Sequence, residues 1–256
     1  MYNLTESERI AMKEPLCQEV NNPYPAKVVL PFRNSFFLLI TGMKQVNKAL
    51  PRLYMVSNCR ELSSPDTQLP ELVSTITTHL PVIIQLREKH LSAKALYDLT
   101  LKLKAAARKP DRTSLLTINE RFDISLATNS DGVHLPENSC PLARVRSAAP
   151  DLLTGKSTHS LKDAVAAESD GADYLFFGPV FETPLKKRYG PPMGLDKLET
   201  VCRNVSIPVY AIGGITPQNT NHCLKHGAYG VAAMSIFSSA QNLARTLDNF
   251  QSSLDR

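Results

Sequence analysis

From residue 52 onward, short runs of β-branched and aliphatic residues alternate with longer segments whose apolar residues recur three and four apart. The runs RLYMVS (52–57), PVIIQL (81–86), SLLTIN (114–119), DGVHL (131–135), LLTGKS (152–157), ADYLFFG (172–178), IPVYAIG (207–213) and YGVAAMS (229–235) have the length and composition of buried strands. Between them, SAKALYDLTLKLKAAA (92–107), SLKDAVAAESDG (160–171) and TPQNTNHCLKHG (216–227) predict amphipathic helices, two of which close on glycine. Eight strands, each followed by a helix, predict an α/β protein with a (β/α)8 TIM barrel. The rival is a doubly wound open sheet. It needs fewer strands and a glycine-rich turn after the first, and this chain has no such turn.

The first fifty residues do not share the rhythm. Pro15, Pro23, Pro25 and Pro31 interrupt them without any sustained period. An irregular N-terminal extension (1–50) is expected, with one short helix or strand near 36–48, ahead of a barrel domain (51–256). A chain of 256 residues accommodates such a barrel as one domain.

Composition narrows the function classes. Hydrophobic residues make up 43% and charged residues 21%, the balance of a globular protein with a core. The net charge of +5 is dispersed, and no basic run exceeds Lys186-Lys187-Arg188, which argues against nucleic acid and suits a phosphate-bearing small molecule. Five scattered cysteines without a CxxC pair argue against a disulfide framework or structural zinc and fit a reducing compartment. MYNLTESERIAMKEP lacks the pattern of a secretory signal, and FFLLI (36–40) is far below spanning length. The expectation is a cytoplasmic protein whose partners are small molecules, neither nucleic acid nor membrane, with a homo-oligomer left open.

Barrel chemistry sits at the C-terminal ends of the strands, often with a phosphate site after the seventh and eighth. Gly213-Gly214 ends the seventh strand before Thr216-Pro217 opens a helix, so the backbone can approach a ligand beside free N–H groups; a plain tight turn is the alternative. Met234 and Ser235 end the eighth strand and can complete that pocket. In QLREK, alternation sends Gln85, Arg87 and Lys89 to one face and Glu88 to the other, which is costly inside a barrel unless an anion is met. Asn119 and Glu120 suit a metal or a hydrogen bond, or equally a helix start. In the segment Ser157-Thr158-His159-Ser160, His159 is able to exchange protons near neutral pH, Ser157 is a candidate ligand contact, and Ser160 is a good helix cap. His134 is read as packing beside the fourth strand. His222 and His226, four apart on a helix, suit a metal but have no third ligand, so a surface face is preferred. Gly178-Pro179 ends the sixth strand and leads through Thr183 to Lys186, on a loop too long for a simple turn; it is expected to close over an anion.

Taken in order, QLREK, INER, DGVHLPE, STHS, GADYLFFGPVFETPLKK, PVYAIGGITPQN and GAYGVAAMSIF resemble the thiamine phosphate synthase family, which also contains thiazole tautomerases. The resemblance runs from about Arg52 to Phe250. It implies a (β/α)8 barrel and a reaction joining hydroxymethylpyrimidine diphosphate to thiazole phosphate with release of pyrophosphate. It implies further that Gln85, Arg87, Lys89, Asn119 and Lys186 hold the pyrimidine diphosphate, that Gly214 and Ser235 hold the thiazole phosphate, and that Thr183 touches a phosphate. Mg²⁺ is the implied cofactor, with Glu120 as its ligand here.

Three departures bear on that reaction. Glu120 stands where synthases usually carry aspartate, Ser139 where a second metal-binding aspartate usually follows the fourth strand, and Leu185 where the sixth loop usually has threonine. HLPENS and FETPLKK lean toward the tautomerase branch, in which His159 would be the acid–base residue and no metal is needed. A phosphate-sensing protein without catalysis is the third alternative. Survival of Arg87, Lys89 and Lys186 favours the coupling synthase.

Overall fold

The computed structural model describes residues 49–58, 62–109, 113–183 and 191–255. The expected element near 36–48, the extension before it and the basic run at 186–188 lie outside these residues.

All eight expected strands form. They are β1 (Leu53–Val56), β2 (Val82–Leu86), β3 (Leu115–Asn119), β4 (Gly132–Leu135), β5 (Leu153–Thr158), β6 (Tyr174–Phe177), β7 (Val209–Ile212) and β8 (Gly230–Ala233). Each pairs in parallel with the next, and β8 returns to β1, closing the barrel. The helices are α1 (Pro65–His79), α2 (Ala93–Ala107), α3 (Phe122–Thr128), α4 (Leu142–Ala148), α5 (Leu161–Ser169), α6 (Gly194–Asn204), α7 (Pro217–Lys225), α8 (Ser235–Ser238) and α9 (Leu243–Leu254). Among the described residues no helix is long and apolar enough to cross a membrane.

Local chemistry sets the boundaries. The Ser92 side chain accepts from the Ala95 amide at the start of α2, and Ser160 accepts from Asp163 at the start of α5, as its position in the sequence suggests. Leu96, Leu99 and Leu103 then bury one stripe of α2 against the sheet.

Alternation along the strands separates two cores. Leu53, Met55, Val82, Ile84, Leu86, Leu175 and Phe177 face outward and pack with the helices. Tyr54, Val56, Ile83, Tyr174, Phe176, Tyr210 and Ala232 fill the barrel lumen. Two glycines make room for the large lumen residues. A Cβ on Gly155 would lie 2.0 Å from the Tyr174 ring, and one on Gly230 would lie 2.9 Å from the Tyr210 ring. Small residues opposite large ones let aromatic side chains pack at interior density.

The lumen is also hydrogen-bonded from wall to wall. The Tyr54 hydroxyl lies 2.7 Å from Thr117 Oγ1 and 2.8 Å from the Tyr174 hydroxyl. The Tyr174 hydroxyl lies 3.2 Å from His134 Nδ1. Burial raises the pKa of both tyrosines, so they stay neutral donors. At the N-terminal end of the barrel a cavity of about 450 Å³ is lined by Leu50, Arg52, Leu80 and Leu254. Arg52 there donates to the carbonyls of Tyr229 and Leu254, so its charge is already engaged.

Candidate active site

The residues singled out at the strand ends come together on one rim. Gln85 belongs to β2, and Arg87 and Lys89 follow it. Asn119 ends β3 with Glu120 next, Ser157 lies in β5 with His159 just beyond, Gly213 and Gly214 follow β7, and Met234 and Ser235 follow β8. Thr183 lies in the segment after β6, whereas Lys186 falls outside the described residues. Strands β2 and β7 are three steps apart around an eight-stranded ring, so Arg87 and Gly214 follow well-separated strands at the same end of the barrel.

A hydrogen-bonded chain crosses β2 and β3 at this mouth. Gln85 Nε2 donates to Asn119 Oδ1 at 3.0 Å, and Asn119 Nδ2 donates to Glu120 Oε2 at 2.9 Å. Lys89 Nζ lies 3.4 Å from the same carboxylate oxygen. Gln85 is 2% exposed, yet its Oε1 has no hydrogen-bond partner among the described residues. A buried acceptor without a donor costs about 1–3 kcal/mol, which a ligand N–H can recover. Glu120 itself adopts φ 63, a left-handed turn that carries its side chain off the strand direction.

His134 is placed differently from the sequence expectation. It does not pack beside β4 but points into the lumen, with its ring centroid 4.0 Å from that of Phe176. Its Nε2 lies 2.9 Å from Ser157 Oγ. Burial, reinforced by the nearby charges of Lys156 and Arg87, lowers its pKa to about 3, so the ring is neutral. The signal was present in the alternation of DGVHL, which puts His134 on the lumen face, level with Asn119. Phe176, on the floor beside it, carried no comparable signal.

On the opposite side, the glycine pair is explained by packing as well as by access. Gly213 has φ 100 and Gly214 φ 66; a Cβ on Gly214 would come within 2.6 Å of Glu182 O. The pair lets the segment after β6 lie directly on the end of β7. The start of α7 was expected to offer free N–H groups, but the Thr216 N–H donates to Asn219 Oδ1 at 2.9 Å, while Asn219 Nδ2 donates to Gly214 O at 2.8 Å.

His159 stands between β5 and β6. Its Nδ1 bonds to Gly178 O, and its Nε2 lies 3.8 Å from Glu137 Oε2. Ser139 offers no metal ligand: its hydroxyl donates to Pro136 O at 2.7 Å and lies 3.2 Å from Lys156 Nζ. Lys156 also donates to the carbonyls of Pro136 and Glu137, pinning the loop after β4. Burial lowers the pKa of Lys156, with Glu137 the largest opposing influence.

Among the described residues no group of three or more His, Cys, Asp or Glu side chains is arranged to hold a metal ion. The donor set still fits a different arrangement. Mg²⁺ commonly takes one or two carboxylates, with substrate phosphates and water supplying the rest. Glu120, held at the mouth by Asn119, provides one such carboxylate.

The family described as Thiamine monophosphate synthase matches residues 53–237. The chain belongs to the thiamine phosphate synthase family. It is 42% identical over 188 residues to a protein of Aquifex aeolicus named "Putative thiamine-phosphate synthase 2", covering 73% of this chain and 98% of that one. It is 37% identical over 217 residues to a thiamine-phosphate synthase of Gloeobacter violaceus, covering 84% of this chain and 61% of that longer protein. Among solved structures, a thiamine phosphate pyrophosphorylase from Pyrococcus furiosus superposes with a TM-score of 0.70 at 29% identity, covering 80% of this chain and 95% of that one. A 3-hexulose-6-phosphate synthase shares only the fold, at 16% identity and a TM-score of 0.60. In this family member the matched region spans the whole rim from β1 to α8.

Proposed function

We propose that this thiamine-biosynthesis enzyme joins hydroxymethylpyrimidine diphosphate to thiazole phosphate, forming thiamine phosphate and pyrophosphate. The observation that carries the reading is the unpartnered Gln85 Oε1, buried at the floor of a mouth whose wall bears Arg87 and Lys89. An aminopyrimidine supplies the missing N–H donor, and its diphosphate extends toward the two cations.

In this reading Gln85 and Asn119 hold the pyrimidine ring, and Arg87, Lys89 and Lys186 hold the diphosphate. Gly213, Gly214, Met234 and Ser235 hold the thiazole phosphate on the far side, with Thr183 between. The methylene C–O bond breaks and its electron pair leaves with pyrophosphate. The thiazole nitrogen lone pair then forms the new C–N bond to that methylene. No proton changes place, so the step needs no general base. The residues contribute orientation and stabilisation of the departing negative charge. Mg²⁺ held by Glu120 and the diphosphate would add to that charge stabilisation.

The floor suits the cation left behind by pyrophosphate. Phe176, backed by the fully buried Tyr54 at a ring-centroid distance of 4.6 Å, places an aromatic ring beneath the mouth, and His134 is uncharged and adds no repulsion. Ser157, bonded to His134, faces the same space.

One observation favours a second reading. His159 stands at the rim, its Nε2 3.8 Å from a Glu137 carboxylate oxygen, where it is a candidate acid–base group toward a bound thiazole. A thiazole tautomerase requires such a group, whereas coupling does not. The experiment gives the purified chain both phosphorylated substrates with Mg²⁺ and follows thiamine phosphate and pyrophosphate, then assays thiazole carboxylate phosphate isomerisation alone. Formation of thiamine phosphate is expected. Isomerisation without coupling would assign the tautomerase, and phosphate binding without either activity would assign a sensor.

A further inference from the structure

The cationic segment after β2 runs beyond the end of its ladder, so something other than strand pairing has to fix it. Ser57, the residue following β1, is fully buried. Its amide donates to Gln85 O at 2.9 Å, the last backbone bond joining these two strands. Two residues beyond Gln85, the Arg87 amide donates to Ser57 Oγ at 2.8 Å, a side-chain oxygen taking the place of the next backbone carbonyl.

A hydroxyl that accepts from Arg87 has to send its own proton elsewhere, and here that partner is specific. Ser57 Oγ donates to Glu88 Oε1 at 2.5 Å. The Glu88 side chain is 2% exposed, against 52% for Lys89. His90 Nδ1 lies 3.8 Å from its other oxygen. The carboxylate is therefore buried at the strand end and is tied to Arg87 through Ser57. Charge-assisted hydrogen bonds of this length are about twice as strong as neutral ones and restrict geometry accordingly.

We infer that Ser57 and Glu88 are positioning residues for the anion-binding strand end: the buried carboxylate orients the serine hydroxyl, and the hydroxyl fixes the Arg87 backbone so that its guanidinium faces the diphosphate. The inference rests on the diphosphate reading above. Neither residue touches substrate. Their effect is confined to the β1–β2 side of the mouth, because the glycine pair after β7 is built from different contacts.

The test measures binding of two probes to the full chain by calorimetry with Mg²⁺ present: inorganic pyrophosphate and thiazole phosphate. Ser57→Ala and Glu88→Ala are each expected to weaken pyrophosphate about tenfold or more, a typical cost of losing one buried hydrogen-bond partner, while thiazole phosphate binding stays within about twofold. Glu88→Gln, which keeps an acceptor for Ser57, is expected to regain most of the loss. Unchanged pyrophosphate affinity in Ser57→Ala overturns the inference. So does equal weakening of both probes, which marks a general loss of structure. Should Glu88→Ala not fold, Ser57→Ala decides alone. Failure of the unaltered protein to bind pyrophosphate, with thiazole phosphate still bound, overturns the diphosphate reading itself.

Discussion

His134 Nε2 and Ser157 Oγ lie 2.9 Å apart across the top of the barrel lumen, linking β4 to β5 beneath the mouth. The contact continues a chain of hydrogen bonds through Tyr174 and Tyr54 to Thr117. A histidine so placed has to remain neutral, and that has a measurable consequence.

In the folded chain His134 takes up a proton only near pH 3, whereas the ordinary value is 6.5. Between those values the unfolded chain binds a proton that the native state refuses, so stability falls as pH is lowered through that window. At the lower end the expected contribution is roughly 4 kcal/mol. Urea unfolding from pH 7 to pH 4 should show a steeper loss for the unaltered protein than for His134→Gln, which has no titrating group there. Parallel pH profiles would contradict the buried neutral histidine.

Gln85→Leu should separate stability from activity. The substitution removes a buried acceptor that lacks a partner but also takes the donor away from Asn119 Oδ1, so the two effects oppose one another and the melting temperature should change little. It also removes the contact assigned to the pyrimidine, and kcat/KM for the diphosphate substrate should fall by about 10- to 100-fold. Differential scanning calorimetry beside steady-state kinetics checks both outcomes.

Gly214→Ala should fail on two counts. A left-handed φ of 66 disfavours any Cβ, by about 1–2 kcal/mol, and the added atom would meet a backbone oxygen at 2.6 Å. The denaturant midpoint should drop, and thiazole phosphate affinity should fall more than pyrophosphate affinity. Equal losses would show that the glycine serves packing alone.

His159→Asn and Lys186→Ala should act on different chemistry. Coupling moves no proton, so His159→Asn should leave thiamine phosphate formation within a fewfold while abolishing any thiazole isomerisation. Lys186→Ala should lower coupling by about 10²-fold, the scale of losing one charge-stabilising group. Product formation by chromatography and isomerisation by nuclear magnetic resonance distinguish the outcomes.

Much of this architecture was legible because period-two runs and punctuating glycines are local properties. Alternation along β2 likewise puts Gln85 on the lumen side, level with Val56. Some elements were less open to pattern. Helix α1 carries Pro65 and Pro70, which disguise its period, and α8 is only one turn long.

The sequence by itself determined the number of strands, their order, and the set of polar residues brought to one rim, since periodicity and barrel closure follow from local pattern. Only the tertiary structure decided which polar atoms meet. It gave His134 a lumen position, engaged Ser139 with Lys156, left Gln85 Oε1 without a donor, and joined Ser57 to Glu88 and Arg87. Those pairings depend on the register between neighbouring strands and on the space left by glycines far away in the chain. Neither is encoded in any single stretch of sequence.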